Sequence, residues 1–350
     1  MTTLSGVERI LKALRLEEPD TVPTFELVID QKVRDGIKPG LSYEDFCEFA
    51  GLDAVCYHEL KTDRFEVIDE GKRLYRDQWG GIQQFSAAGD MPVPREPAIK
   101  TAADIAGYVG PDPDRPDRFK TIEEAVKRFK GKKAIIAGVR PFASVKDSLR
   151  SESLLFRDMV KNPGLVDDLN RIVDDYYMRY IRNLIDVGVD AVIETADWAI
   201  TQGPMISPEL TGKFIIPILG RLVDYCHRQG VPCLKHSDGN LWPIMDLIVG
   251  TGIDGLHPID PLAGMDIGEV KEKYGDKLCL MGNIDCGDLL STGTPDDVRR
   301  AVKECFRKAG QGGGYICMSS NSIHGAVIPE NYTAMLEAIR EYGRYPLSLD

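Results

Sequence analysis

A histidine and an aspartate stand two residues apart in the segment Lys235-His-Ser-Asp-Gly-Asn240, directly after a short apolar run. At the end of a β-strand, His236 and Asp238 could direct an imidazole nitrogen and a carboxylate oxygen at one point. Gly239 would permit the tight turn that follows them. Such a pair suits a metal ion or proton transfer. The simpler interpretation is an aspartate that caps the next helix beside a hydrogen-bonded histidine, and the residues alone leave both interpretations open.

Cys317 lies far along the chain, in the run Tyr315-Ile-Cys-Met-Ser-Ser-Asn321. If its thiol faces the same point as His236, a cysteine, a histidine and an aspartate could hold Zn²⁺. Zinc favours thiolate and imidazole ligands and keeps one position open in catalytic sites. The alternative is one more buried thiol among eight cysteines. Their irregular spacing, without a CxxC pair, indicates neither a disulfide framework nor a local zinc motif.

Further polar side chains follow other β-rich runs. Glu194 and Asp197 could bind a metal, act as acid or base, or cap a helix. Arg140 could bind a carboxylate through two hydrogen bonds, or form a surface ion pair. We predict two groups of site residues besides the metal ligands: Glu194, Asp238, Asn283 and His324 as catalytic residues, and Arg140, His58, His257, Asn321 and Asp197 as substrate-binding residues.

These residues can meet only if the fold gathers the ends of several strands. Eight β-rich runs alternate with amphipathic stretches of helical length, which is typical of βα units around a parallel sheet. The predicted strands are Val22–Val28, Asp53–His58, Lys133–Val139, Asp190–Ala196, Val231–His236, Asp254–Pro258, Lys277–Asn283 and Gly314–Ser319. We predict an α/β fold, a (β/α)8 TIM barrel whose active site lies at the carboxyl ends of the strands. An open doubly wound sheet is the alternative, but no glycine fingerprint for a dinucleotide follows a strand.

Residues 61–118 interrupt this alternation with a hairpin-like stretch and a segment rich in proline and aspartate. We predict an insertion after the second strand that covers the barrel mouth, because long insertions at this end tend to carry function. Its apolar content is too low for a core of its own. Residues 1–350 are therefore predicted to form one domain, which begins with an amphipathic helix over residues 1–15.

Composition narrows the classes of partner. The net charge of −12 argues against nucleic acid and against an anionic membrane surface. No apolar run approaches the roughly 20 residues that a membrane-spanning helix needs. With 43% hydrophobic residues and unpaired cysteines, the chain is expected to be a globular cytoplasmic protein.

Several segments, taken together and in order, resemble the uroporphyrinogen decarboxylase superfamily, which also contains corrinoid-linked methyltransferases. They are Asp20-Thr-Val-Pro23, Ile206-Ser-Pro-Glu209, Phe214-Ile-Ile-Pro217, His236-Ser-Asp-Gly239, Tyr274-Gly-Asp-Lys277, Leu280-Met-Gly-Asn-Ile-Asp285 and Ser322-Ile-His-Gly-Ala-Val-Ile-Pro-Glu-Asn331. The resemblance covers nearly the whole chain, and it too implies a barrel.

The two branches of that superfamily imply different sites. The decarboxylases carry Arg-Gln-Ala-Gly-Arg after the first strand, where this chain reads Glu26-Leu-Val-Ile-Asp-Gln-Lys-Val-Arg34. Without the paired arginines, a substrate with eight carboxylates would be repelled. The methyltransferases bind zinc through a His-x-Cys pair and a later cysteine. His236 matches the first ligand and Cys317 the last, whereas Asp238 stands in place of the middle cysteine.

The resemblance implies a zinc-assisted methyltransferase, which moves a methyl group from a small methylated donor, such as a methyl ether, to the corrinoid of a separate protein. The expected ligands are His236, Cys317 and a carboxylate, either Asp238 or Glu194. Relatives suggest a homodimer, by analogy alone. One alternative is a decarboxylase, either of the uroporphyrinogen decarboxylase type or acting on another small acid. The small-acid enzyme would be metal-free, with Arg140 as the carboxylate anchor and an aspartate or histidine as proton donor. The other alternative is a non-enzymatic protein that binds a corrinoid or tetrapyrrole.

Overall fold

A computed structural model describes residues 3–59, 65–85 and 92–349, in which thirteen strands form three sheets. The strands are β1 Ala54–His58, β2 Glu66–Asp69, β3 Leu74–Arg76, β4 Ile82–Phe85, β5 Pro92–Glu96, β6 Ala134–Val139, β7 Ala191–Glu194, β8 Ala199–Ile200, β9 Gly203–Pro204, β10 Cys233–His236, β11 Gly255–His257, β12 Cys279–Ile284 and β13 Tyr315–Ser319. The largest sheet is parallel, in the order β1-β6-β7-β10-β11-β12-β13. Its strands are neighbours in chain order, so the doubly wound alternative is excluded.

Helices connect these strands. The α-helices are α1 Gly6–Leu14, α2 Gln31–Ile37, α3 Tyr43–Phe49, α4 Lys120–Phe129, α5 Pro141–Ala143, α6 Glu152–Lys161, α7 Pro163–Val187, α8 Pro208–Phe214, α9 Ile216–Arg228, α10 Met245–Val249, α11 Ile267–Tyr274, α12 Leu289–Thr292, α13 Pro295–Cys305 and α14 Pro329–Tyr342. The predicted N-terminal helix begins only at Gly6, because the Ser5 hydroxyl accepts from the amide of Glu8 and caps it. In the described part of the chain, none of the helices is long and apolar enough to cross a membrane.

The predicted first strand, Val22–Val28, closes the gap between β13 and β1. The Cys317 amide donates to the Pro23 carbonyl at 3.0 Å, and the Asp53 amide donates to the Thr24 carbonyl at 2.8 Å. The segment makes only isolated bridges with its neighbours. Pro23 has no amide hydrogen to give to a ladder, which contributes to this irregular pairing. The predicted α/β barrel is confirmed, with seven regular strands and one irregular member.

Side chains alternate between the barrel interior and the surrounding helices. Alternate residues of the strands pack with α1, among them Ile193, Leu234, Ile316 and Met318, and fill the interior. The residues between them pack into the layer under the helices, as Cys317 does. Successive side chains of a strand point to opposite faces, so this alternation decides which strand residues can reach the mouth.

The insertion after β1 contains an antiparallel sheet in the order β2-β3-β4-β5. The predicted hairpin is present as β2 and β3. Its carboxamides contact the barrel side: Gln78 donates to the Glu59 carboxylate at 2.9 Å, and Gln83 donates to the Asp147 carbonyl at 3.1 Å. Parts of the predicted insertion, residues 61–64 and 86–91, lie outside the described residues.

Candidate metal centre at the barrel mouth

Three side chains converge where β7 and β10 end. His236 is the last residue of β10 and points into the barrel, since Leu234, two residues earlier, does so. Its Nε2 atom lies 3.5 Å from Asp197 Oδ1 and 3.7 Å from Asp238 Oδ1. Zinc bonds of 2.0–2.1 Å in a tetrahedron would separate ligand atoms by about 3.4 Å. The spacing of Asp197, His236 and Asp238 therefore fits one small cation.

Hydrogen bonds fix which nitrogen of His236 carries its proton. His257 Nε2 lies 3.0 Å from the Ser319 carbonyl, which can only accept, so we assign the His257 proton to Nε2. The other His257 nitrogen, Nδ1, must then accept from His236 Nδ1, at 2.8 Å. This leaves the Nε2 atom of His236 with a free lone pair. Metal-binding histidines are commonly oriented in this way by a hydrogen bond on the second ring nitrogen.

Burial and neighbouring charges change the protonation of His236 and Asp238. Burial, assisted by the charges of Lys235 and other cations, lowers the pKa of His236 to about 3, so its ring is neutral. Burial and the neighbouring carboxylates of Asp197 and Asp260 raise the pKa of Asp238 to about 8. Asp238 Oδ1 is buried, and no donor among the described residues reaches it. Without a cation, Asp238 therefore keeps a proton near neutral pH. A divalent cation would displace that proton and pair with both carboxylates and the lone pair of His236.

Hydrogen bonds position the carboxylates of Asp197 and Asp238. Asn321 donates from its Nδ2 atom to Asp238 Oδ2. The backbone amide of Asp238 donates to Asp197 Oδ1 at 3.1 Å. Asn321 and Asp197 were predicted as substrate-binding residues, and the structure brings both to the candidate metal centre. His257 was predicted in the same role, but it is fully buried and contacts His236 instead.

Glu194 faces the helices rather than the mouth, which corrects the prediction that it is a catalytic residue or a metal ligand. It alternates with the inward-pointing Ile193, and Lys235 Nζ donates to its Oε2 atom at 2.5 Å. Its Oε1 atom accepts from the Ala196 amide at 3.0 Å. Both carboxylate oxygens therefore already have partners.

Cys317 also faces away from the mouth, which corrects its prediction as a zinc ligand. Ile316 and Met318 point into the barrel, so the residue between them must point outward. Its thiol lies near Cys305 and Tyr315, and burial raises its pKa well above the ordinary value. The Cys317 thiol resists ionisation and lies between the strands and the helices, whereas His236 points into the barrel. Cys317 is therefore a core residue.

Two residues predicted to be catalytic, Asn283 and His324, form hydrogen bonds with neighbouring loops. Asn283 donates to the Ile259 carbonyl at 2.6 Å and accepts from the Cys305 thiol at 3.6 Å. The His324 ring accepts from the Ala326 amide at 3.3 Å, and its other nitrogen lies 3.2 Å from the Cys286 carbonyl. Neither side chain belongs to the cluster of Asp197, His236 and Asp238, and their catalytic role stays a prediction.

The last two predicted residues lie on the β1–β6 side of the barrel. His58 Nε2 lies 3.0 Å from the Leu27 carbonyl, and burial lowers the pKa of its ring. Arg140 follows β6, and its nearest acidic partner, Asp147, is 3.8 Å away. Arg140 lines a cleft between the inserted sheet and the barrel; other lining residues are Glu59, Trp79, Gln83, Ser144 and Tyr177.

Sequence reasoning missed Lys235, Ser319 and Glu59. The signal for Lys235 was available, because a lysine inside an otherwise apolar strand needs a buried partner. The Ser319 carbonyl and the Glu59 carboxylate act through partners that are distant in the chain, so no local signal in the sequence marks them.

Comparison with known proteins identifies the family. A sequence model of the uroporphyrinogen decarboxylase family matches residues 80–342. A uroporphyrinogen decarboxylase from Thioalkalivibrio sulfidiphilus is 24% identical over 370 residues, covering 96% of this chain and 98% of that protein. One from Pseudoalteromonas atlantica is 25% identical over 275 residues, covering 75% of this chain and 74% of that protein. A solved methyltransferase from Methanosarcina mazei has the same fold, with a TM-score of 0.76 at 18% identity over 97% of this chain and 99% of its own. The chain belongs to the uroporphyrinogen decarboxylase family.

Proposed function

We propose that the protein is a zinc-assisted methyltransferase that passes a methyl group from a small methylated donor, such as a methyl ether, to the corrinoid of a separate protein. The observation that carries the proposal is the neutral Nε2 atom of His236 facing the carboxylates of Asp197 and Asp238. The likeness in fold to the Methanosarcina mazei methyltransferase agrees with it. In this proposal the corrinoid protein docks over the barrel mouth.

The residues present fit zinc with a different ligand set from the one predicted. His236, Asp197 and Asp238 would hold the ion and leave a position open, as catalytic zinc sites do. Bound zinc would supply Lewis acidity to the heteroatom that releases the methyl group. Oxygen and imidazole ligands without a thiolate suit an oxygen or nitrogen leaving atom. His257 and Asn321 orient the ligands through hydrogen bonds.

Arg140 would hold the rest of the donor. Its guanidinium group makes no hydrogen bond with any described residue, and its side chain is 23% exposed. Trp79 and Tyr177 add aromatic surface to the same cleft. The charge of Arg140 contributes to the lowered pKa of His236, so it lies within electrostatic range of the metal centre. An anionic or hydrogen-bonding group on the donor would satisfy this guanidinium.

Metal content is the decisive test. We expect the purified protein to bind one zinc ion per chain. His236→Ala and Asp238→Ala should each weaken zinc binding more than about 100-fold, because even partners that only orient a ligand contribute 10–100-fold. Cys317→Ala is the matched control and should bind zinc as the wild type does. Full zinc retention in His236→Ala would remove the proposal.

The transfer itself can be followed with free cob(I)alamin as acceptor and methoxylated aromatic compounds as donors. Methylation of the cobalt changes its visible spectrum, and the demethylated product can be quantified. We expect zinc-dependent turnover in the wild type and none in His236→Ala. Turnover that survives complete zinc removal would contradict the role given to the metal.

One observation keeps a decarboxylase as the second candidate. Asp238, with its pKa raised to about 8, could donate the proton that replaces carbon dioxide, while Arg140 anchors the acid. The porphyrinogen itself is disfavoured, because the paired arginines are missing and Arg34 already donates to the carbonyls of Ile29 and Leu41. Release of carbon dioxide from a small acid by metal-free protein would favour this candidate.

A further inference from the structure

Lys235 is completely buried in β10, directly before His236, on the face toward the helices. Its Nζ atom donates to Glu194 Oε2 and to the Ala196 carbonyl, both at 2.5 Å. It also donates to the His236 carbonyl at 2.6 Å. Three acceptors require three hydrogens, so the group is an ammonium ion.

These contacts join the two segments that carry the metal-binding side chains. Ala196 immediately precedes Asp197, and the other carbonyl belongs to His236 itself. Asp197 follows the end of β7 and its side chain is 44% exposed, so little packing holds it. Other bonds also join the segments. The parallel ladder pairs Lys235 of β10 with Glu194 of β7, and beyond the strand ends the Trp198 amide donates to Ser237 Oγ at 2.9 Å.

We propose that Lys235 and Glu194 are positioning residues, which fix Asp197 relative to His236 at the distance that a metal ion needs. This inference rests on the proposed function. Packing alone does not explain the pair, since a buried ion pair is often no more stable than apolar side chains of similar size. The Lys235 ammonium ion contacts both segments that carry the proposed ligands, which explains why Lys235 and Glu194 are buried at this position.

The chain offers a matched control away from the mouth. Arg150 and Asp158 form another buried ion pair, at 2.8 Å, with side-chain exposures of 4% and 0%. Arg150 also donates to two backbone carbonyls, those of Ile99 and Lys100, at 2.9 and 2.6 Å. Removing either pair deletes one buried cation and leaves two carbonyls without a donor. Only the pair at Lys235 contacts the metal-binding segments.

The experiment compares two double variants, Lys235→Met with Glu194→Gln and Arg150→Met with Asp158→Asn. The carboxamide introduced by Glu194→Gln keeps an oxygen that can still accept from the Ala196 amide. Zn²⁺ and Co²⁺ are titrated into metal-free protein, and urea unfolding measures stability. We expect the Lys235 double variant to bind both ions about 10–100-fold more weakly, with an altered Co²⁺ ligand-field spectrum. The Arg150 double variant should lose comparable stability yet keep wild-type affinity and spectrum.

Wild-type affinity and spectrum in the Lys235 double variant would overturn the positioning role. Equal weakening in both double variants would also overturn it, because the effect would then follow from general destabilisation. If the Lys235 double variant does not fold, Glu194→Asp keeps both charges and shortens the carboxylate. It should bind Co²⁺ more weakly than the wild type, and unchanged affinity would overturn the role. Absence of metal binding in the wild type would instead refute the proposed function on which the inference rests.

Discussion

Glu59 and Asp238 both lie just beyond the end of a barrel strand, Glu59 buried and Asp238 half-buried, yet their surroundings differ. The Glu59 carboxylate accepts from Tyr176 at 2.5 Å, from Tyr177 at 2.7 Å and from Gln78 at 2.9 Å. Protein donors thus occupy both of its oxygens. They come from α7 and from the inserted sheet, so Glu59 joins the insertion to the barrel.

Asp238, by comparison, has a hydrogen-bond donor from the described part of the chain at only one of its two carboxylate oxygens. Asn321 donates to one oxygen, whereas the other is buried without a donor among the described residues and faces the neutral ring of His236. A place at a strand end therefore does not distinguish a carboxylate that protein donors satisfy from one that is open to a ligand. Occupancy of the oxygens does, because a buried polar atom without a partner costs free energy unless a ligand supplies one.

The largest effect on stability is expected at Glu59. Glu59→Ala would leave the buried hydroxyls of Tyr176 and Tyr177 and the half-buried carboxamide of Gln78 without this acceptor, and bonds to a charged group contribute about 1.5–3 kcal/mol each. We expect the free energy of unfolding to fall by about 5 kcal/mol, measured by urea denaturation. Zinc content per folded chain should stay at the wild-type level. A loss of zinc from the folded variant would contradict the division between Glu59 and Asp238.

Zinc should separate the two carboxylates directly. At a free concentration about 1,000 times the dissociation constant, zinc should raise the free energy of unfolding of the wild type by about 4 kcal/mol. Asp238→Asn keeps the shape but loses the charge, so most of this increment should disappear. Glu59→Gln is the control and should keep it. Equal increments in the two variants, measured by urea denaturation with zinc or with a chelator, would refute the comparison.

The fold was predictable because the spacing of apolar residues along the chain indicates strands and helices. Alternating β-rich and amphipathic runs gave the barrel, the position of the insertion and its first hairpin, β2 and β3. The irregular pairing of Val22–Val28 was not predictable, since Pro23 disturbs a ladder whose partners are distant in sequence. That residues 1–350 form one domain, that the insertion covers the mouth and that the protein is a homodimer remain predictions.

The site was predictable in part, and strand alternation explains where prediction failed. His236 and Asp238 point to the mouth as expected, and Asp197 joins them. Cys317 and Glu194 lie near the correct strand ends but on the outward face, and a shift of one residue along a strand reverses the face. Since the ends of strands were uncertain by a residue or more, the sequence could not assign these faces.

Glu26 is intermediate between Glu59 and Asp238, and its substitution is expected to have the smallest effect on the free energy of unfolding. Its buried carboxylate accepts from the amide and the hydroxyl of one residue, Ser319. Burial raises its pKa from the ordinary 4.5 to about 8. The folded protein therefore favours the protonated form, and its stability is complete below about pH 4.5 and is lost as the pH rises towards 8. At pH 7 the cost is about 3 kcal/mol, from 1.36 kcal/mol per pKa unit.

Glu26→Gln should remove this pH dependence, because the amide stays neutral and can still accept from the Ser319 amide. Urea unfolding at pH 5 and pH 7 should show a smaller decline for Glu26→Gln than for the wild type, by about 2.5 kcal/mol. Zinc binding should be retained, since the Ser319 carbonyl that accepts from His257 is undisturbed. Parallel declines in the two proteins would mean that Glu26 is ionised at both pH values. The Glu26 oxygens would then be as fully satisfied as those of Glu59, and Glu26 would no longer be intermediate between Glu59 and Asp238.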